Sequence, residues 1–153
     1  NIENKFPGFL NIFIKNSGEN SELRGHIMVK NHSDFSGKII AEHTAPNTGI
    51  LLQSKIIGYK NSYSRISATA IINKNCPGAK SDIRLSGYTT DNSAKIRFSP
   101  IQHIKSVPDF AEHSAYIMHT TEKQENYLRT AGLSGAEIKD AITEAFTKDF
   151  NLF

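Results

Sequence analysis

From Ser62 to Ile72 the chain reads SYSRISATAII, and this stretch is the clearest indication of the fold class. Two sets of side chains alternate along it, Ile66, Ala68, Ala70 and Ile72 in one set and Ser67, Thr69 and Ile71 in the other. A period of two is typical of a β-strand with at least one packed face. The stretch therefore predicts a strand.

Similar runs rich in β-favouring residues, separated by turn residues, occupy the chain from Gly25 to Ser99. The others are His26–Lys30, Lys38–Glu42, Ile50–Ile57, Ile83–Tyr88 and Lys95–Phe98. Short strands cut by turns favour a sheet-rich region, for which we expect antiparallel pairing. The segment Phe6 to Lys15 fits a helix and a strand equally well, and we find no internal repeat of useful length.

The end of the chain is predicted to be helical. Thr121 with Gln124, and Ser134 with Glu137, have the spacing of capping boxes, and Gly132 can end the first helix. A single apolar stripe follows at helical spacing: Ile138, Ala141, Ile142, Ala145 and Phe146. The sequence thus predicts an α+β fold, with antiparallel sheets in the N-terminal and central part and C-terminal helices packed against them.

Size and composition indicate one domain over residues 1–153. Because the chain begins at Asn1 and not at Met, we expect it to be a C-terminal effector fragment of a larger protein. The lone Cys76 cannot form an internal disulfide, which favours a reducing compartment. No apolar run is long enough to span a bilayer. Residues 1–120 carry 14 Lys and Arg against 9 Asp and Glu, a basic excess that favours phosphate-rich partners.

Six histidines are the unusual feature: His26, His32, His43, His103, His113 and His119. Imidazole titrates near neutrality and is a frequent general acid or base. The spacings typical of metal ligands are missing, so we predict neither a metal nor another cofactor. Cys76 lies in a turn sequence, Asn-Cys-Pro-Gly, and a Cys/His enzyme built from Cys76 and His103 is one alternative.

Metal-independent cleavage of RNA needs two imidazoles and a cation. One imidazole removes the proton of the 2′-hydroxyl, the other protonates the departing 5′-oxygen, and the cation stabilises the charge of the transition state. His26 and His43 each lie beside a short apolar run, and Lys95 follows in Lys-Ile-Arg-Phe-Ser-Pro. We therefore expect these three residues to converge on one cleft.

This order of residues resembles the EndoU-type endoribonucleases, which are found as C-terminal toxin domains of bacterial contact-dependent growth inhibition proteins. Lys95, Phe98 and Pro100 are similar to an element of that family, with Arg97 and Ser99 between them. The resemblance implies an endoribonuclease toxin that cleaves by 2′-hydroxyl transesterification. His43 is assigned as general base and His26 as general acid, in exchangeable roles, while Arg97 and Ser99 contact the substrate.

The expected partners are RNA, with tRNA as one candidate, and a cognate immunity protein that inhibits the toxin in the producing cell. The expected place of action is the cytoplasm of a target cell, after delivery as part of a secreted or surface protein. His103, His113 and His119 stay open as replacements for either chosen histidine. The alternative from another class is a non-catalytic binding or adaptor domain with scattered structural histidines.

Overall fold

The structure, a computed structural model, describes residues 1–148. These residues form nine strands followed by two helices. The elements are β1 Ile2–Asn4, β2 Gly8–Asn16, β3 Glu22–Asn31, β4 Asp34–His43, β5 Gly49–Gly58, β6 Tyr63–Ile72, β7 Lys80–Thr89, β8 Lys95–Ile104, β9 Phe110–His119, α1 Glu122–Thr130 and α2 Gly135–Lys148.

Successive strands along the chain belong alternately to one of two sheets. Odd-numbered strands form sheet A in the order β1-β3-β5-β7-β9, and even-numbered strands form sheet B in the order β2-β4-β6-β8. Every neighbouring pair within a sheet is parallel. Each coil of the chain therefore contributes one strand to each sheet. A strand such as β5 pairs with β3 of the previous coil and with β7 of the next coil. The fold is a parallel β-solenoid of about four turns, with two C-terminal helices.

The predicted antiparallel α+β fold is wrong, although all six predicted runs are strands. Inward and outward side chains alternate in the same way in parallel and antiparallel strands, so the pattern carries no information on direction. We expected antiparallel pairing because parallel neighbours need a long connection between them. Here the connection from β4 to β6 is β5, a strand of the opposite sheet. The stretch from Phe110 to His119 was not predicted as a strand, and the ambiguous segment Phe6 to Lys15 overlaps β2.

The core lies between the two sheets and is built from stacked inward side chains. In sheet B, Ile39 on β4 is in register with Ala68 on β6, and both are almost fully buried. Ile56 of sheet A contributes to the same apolar cluster. Since each coil covers the apolar row of the previous coil, burial of that row is the main stabilising contribution of the solenoid.

The coils repeat in three dimensions although the sequence shows no clear repeat. The offset between paired residues is 27 positions from Ile2 to Val29 and 32 positions from Tyr63 to Lys95. The turns that precede β3, β5 and β7 lie above one another, with the Asn47 side chain donating to Asn20 Oδ1 at 3.0 Å. The corresponding position in the turn of the next coil is Gly78, with φ +68°, where a Cβ would collide with the Asn47 amide oxygen. Unequal coil lengths and changing turn residues conceal the period.

Both predicted capping boxes are present. Thr121 caps α1 and exchanges hydrogen bonds with Gln124, and Ser134 does the same with Glu137 ahead of α2. Gly132 has the positive φ expected after a helix end. Within residues 1–148, no helix is both long and apolar enough to cross a membrane.

Helix α2 covers the outer face of sheet A. Phe146 packs against the buried cluster of Met28, Ile57 and Tyr88, which come from three successive odd strands. The Lys55 ammonium donates to the Phe146 carbonyl oxygen at 2.7 Å and lies 5.1 Å from the centre of its ring. Around Lys55 and Ile57, sheet A is thereby packed on both faces. Within residues 1–148, helix α2 packs on the side of sheet A and neither helix packs on the outer face of sheet B.

Candidate functional site

The three residues predicted to form a catalytic cleft lie in three separate parts of the solenoid. His26 is exposed on the outer face of sheet A, in β3. His43 is fully buried at the end of β4, on the core side of sheet B. Lys95 is exposed at the start of β8, on the outer face of sheet B. The core separates His26 from Lys95, so the structure does not form the predicted cleft.

Lys95, Arg97 and Ser99 do share a surface. They alternate along β8 and all project from the outer face of sheet B. Arg97 is in register with Arg65 of the neighbouring strand β6, and Ser99 is in register with Ser67. No local pattern indicates Arg65, because a neighbour 32 positions away is defined only by the coil length.

The remaining candidate histidines are also dispersed. His103 is exposed on the outer face of sheet B. His113 is in register with the core residue Ile83, and neither of its ring nitrogens has a hydrogen-bond partner within residues 1–148. His119 ends β9 and lines a polar cleft of about 780 Å³ between the β7–β8 turn and the first turns of both helices. Asp91 and Lys139 are among the other residues that line this cleft, which thus carries both signs of charge.

His43 is held in one tautomer by its neighbour. Its Nδ1 lies 2.8 Å from the Thr48 hydroxyl oxygen, and that hydroxyl donates its own proton to the carbonyl oxygen of Ala45 at 3.0 Å. Nδ1 must therefore carry a hydrogen and donate it to Thr48. Nε2 is left as a bare acceptor, buried and without a partner among the described residues. Burial lowers the pKa of His43 below its ordinary value.

Cys76 lies next to the backbone of His43 and not next to His103. Its thiol is fully buried, 3.4 Å from the carbonyl oxygen of His43 and 3.6 Å from that of Lys74. Burial raises the pKa of the Cys76 thiol, the opposite of what a reactive cysteine needs. The Cys76 environment therefore favours a structural thiol over the nucleophile of a Cys/His enzyme.

The described residues do not make a complete metal site. Among residues 1–148 there is no group of three or more His, Cys, Asp or Glu side chains arranged to hold a metal ion.

The two core histidines make folding stability depend on pH. Burial lowers the pKa of both His43 and His113, the latter partly offset by the charge of Asp82. The unfolded chain therefore takes up protons below about pH 6.5, while the folded chain stays neutral at these sites. Stability is full above pH 6.5 and falls by up to about 1.4 kcal/mol per histidine for each pH unit below it, until the folded pKa is reached.

Urea unfolding between pH 7.5 and 5.5 measures this slope. His43→Gln should flatten it, because Gln does not titrate, whereas the exposed His103→Gln should leave it unchanged. An equal slope in the His43→Gln variant would show that His43 is protonated as readily in the folded chain as in the unfolded one.

Stacked coils and two parallel sheets define the chain as a β-solenoid protein. A family model described as SUF system FeS cluster assembly, SufBD core domain, matches residues 9–146. The chain therefore belongs to the SufBD core domain family. A search of curated proteins found no match.

The family and the fold together overturn the ribonuclease interpretation. The resemblance to EndoU-type endoribonucleases is wrong, because a continuous match over residues 9–146 outweighs a few scattered points of similarity. The predicted transesterification of RNA is therefore wrong. The predicted toxin role in contact-dependent inhibition and the predicted RNA and immunity-protein partners are wrong for the same reason. Membership of the SufBD family implies partners from the SUF complex.

Proposed function

We propose that this chain is a scaffold component of the SUF system and that it supports Fe–S cluster assembly as one member of a multi-chain complex. The cluster is the cargo of this process. Residues 1–153 hold a single cysteine, which is buried, so most cluster ligands must come from outside this sequence. The contribution of the chain is then a rigid frame and a docking surface.

The last coil of the solenoid offers such a docking surface. In the part of the chain that the structure describes, β8 and β9 each pair with a neighbour on one side, so one edge of each strand has unpaired backbone groups. Ile72 is fully buried, whereas Ile104, in register one coil further, is 45% exposed. Ile117 of β9 is 46% exposed although it continues an inward row. A partner with a complementary strand edge would cover both isoleucines and continue the sheets.

Co-expression with the other SUF subunits of the same source tests this proposal. Ile104→Asp with Ile117→Asp should weaken co-purification at least tenfold, because two charges would be buried unpaired in the interface. The control is Phe6→Asp, at an exposed residue of the opposite end of the solenoid. Equal loss in both variants, or no loss in either, would rule out the last coil as the docking surface.

A second variant tests the source of the ligands. Cys76→Ser should leave both the complex and the visible absorbance of its assembled cluster unchanged. Loss of that absorbance from an intact complex would show that Cys76 is a ligand, which contradicts a role as frame only. We also propose that the chain acts in a cytoplasm, as the unbridged Cys76 suggests.

A further inference from the structure

The outer face of sheet B carries more positive charge than the sheet itself can balance. Its basic face consists of the exposed side chains Lys38, Arg65, Lys95 and Arg97. Within residues 1–148 none of these four cations forms an ion pair. The acidic side chains on the same surface, Asp34 and Glu42, lie toward opposite ends of β4.

The arrangement of the arginines is unfavourable in the free chain. Arg65 and Arg97 are Cα partners on adjacent strands, so their backbones are about 4.8 Å apart. Like charges directly opposite one another destabilise a sheet. Arg65 also lies over the ring of Tyr63, 4.7 Å from its centre, which keeps the guanidinium on the surface. An anionic partner would turn this repulsion into attraction.

An apolar strip runs beside the basic face, across the same four strands. It consists of one register row on the outer surface of sheet B, namely Phe13, Ile40, Thr69 and Ile101. Phe13 is 60% exposed and Ile101 is 40% exposed. A third row, with Lys38, Ser67 and Ser99, separates the strip from the arginine pair and adds hydroxyl groups.

We propose that the outer face of sheet B is a docking surface for an acidic amphipathic helix of a partner protein. The helix would lie across the strands, with its apolar stripe on Phe13 and Ile101 and its carboxylates over Arg65 and Arg97. Four strands span about 14 Å between the first and the last, which corresponds to roughly ten helical residues. The strip and the arginine row are two register rows apart, about 14 Å, so a helix about 10 Å wide that is centred on the row between them has the strip at one edge and the arginines at the other.

Helix α2 shows how this solenoid accepts a helix. It covers the outer face of sheet A through Phe146 and Ile142, with Lys55 of the sheet donating to a helix carbonyl group. Sheet B has the same combination of apolar and cationic side chains on its outer face, and neither helix of the described part of the chain packs on it. The proposed partner helix would be the counterpart of α2 on this sheet, with carboxylates as the acceptors. This proposal does not depend on the SUF assignment.

The test uses the purified chain and a fluorescent 15-residue peptide held helical by a side-chain cross-link. The peptide has a stripe of leucines flanked on one side by glutamates, and a matched peptide has lysine in place of each glutamate. The acidic peptide should bind at least tenfold more tightly, and its affinity should fall as salt rises. Equal binding of the two peptides would overturn the proposal.

Charge-reversal variants locate the binding. Arg65→Glu with Arg97→Glu should weaken the acidic peptide at least tenfold. Lys74→Glu with Lys105→Glu, at exposed turn residues, changes the net charge equally and should weaken it less than threefold. Ile101→Ser should weaken it without any change in charge. Equal losses in the two double variants would mean that bulk charge alone attracts the peptide.

Two further measurements test the chemical class of the partner and the repulsion between the two arginines. Duplex DNA and phosphatidylglycerol vesicles should compete poorly with the acidic peptide; stronger binding of either one would identify a nucleic-acid or lipid surface instead. Arg97→Gln should raise the midpoint of thermal unfolding of the free chain, because it removes the repulsion from Arg65. A lowered midpoint would show that the arginine pair stabilises the sheet, and the argument for an anionic partner would fail.

Discussion

Lys55→Ala should loosen helix α2 from the solenoid and lower the free energy of unfolding by about 3 kcal/mol. Lys55 is 1% exposed, and its ammonium donates to the last turn of α2 at the Phe146 carbonyl oxygen. A cation at the C-terminal end of a helix is favourable, since the unpaired carbonyl groups there are partly negative. Alanine would leave that carbonyl without its donor and a cavity beneath the Phe146 ring.

Urea unfolding and hydrogen exchange of the α2 amides measure this effect. Lys55→Met should cost less than Lys55→Ala, because methionine refills the volume and no charge then needs compensation. Lys30→Ala is the control, at an exposed position on the neighbouring strand of the same sheet face, and should change stability by less than about 0.5 kcal/mol. If the α2 amides of Lys55→Ala exchanged as slowly as those of the native chain, α2 would be held by its apolar contacts alone.

Lys55 also shows where reasoning from the sequence ends. A lysine in the run Ile50–Ile57 reads as a solvated residue on one face of a strand, which is the usual place of a lysine. Its acceptor is 91 positions further along the chain, in a helix whose caps were predicted but whose docking site was not. Capping boxes and strand alternation are local patterns, so they were predictable. The local patterns do not show which strands become neighbours, so the pairing of the strands was not predictable.

The same limit explains the candidate site. His26, His43 and Lys95 were chosen for chemistry that requires them to meet, and nothing local shows that β3 and β4 belong to opposite sheets. Arg97 was chosen as a contact for an anion, and that assignment stays a prediction. Its neighbour Arg65 becomes visible only when the 32-residue offset of that coil is known. A solenoid with unequal coils therefore conceals its surface clusters from any local pattern.

Asn31→Ala should lower the free energy of unfolding by about 3 kcal/mol or more, because this one buried side chain joins three coils. Asn31 is fully buried at the end of β3. Its amide nitrogen lies 2.7 Å from the Ser33 carbonyl oxygen and 2.8 Å from the Ser64 hydroxyl, and its oxygen accepts from the Asn4 side chain at 2.7 Å. Asn4 belongs to the coil before Asn31, and Ser64 belongs to the coil after it.

The isosteric variant Asn31→Asp separates hydrogen bonding from volume. A carboxylate keeps the shape of the amide but cannot donate to Ser33, and it would be buried opposite carbonyl oxygens, so at neutral pH it should destabilise at least as much as alanine. Asn11→Ala, at an exposed residue of β2, is the control and should lie within about 0.5 kcal/mol of the native chain. Chemical unfolding of the three variants under one set of conditions gives the comparison. If Asn31→Asp were as stable as the native chain, the amide donors would not hold the coils together, and the stacked apolar rows would account for the register without them.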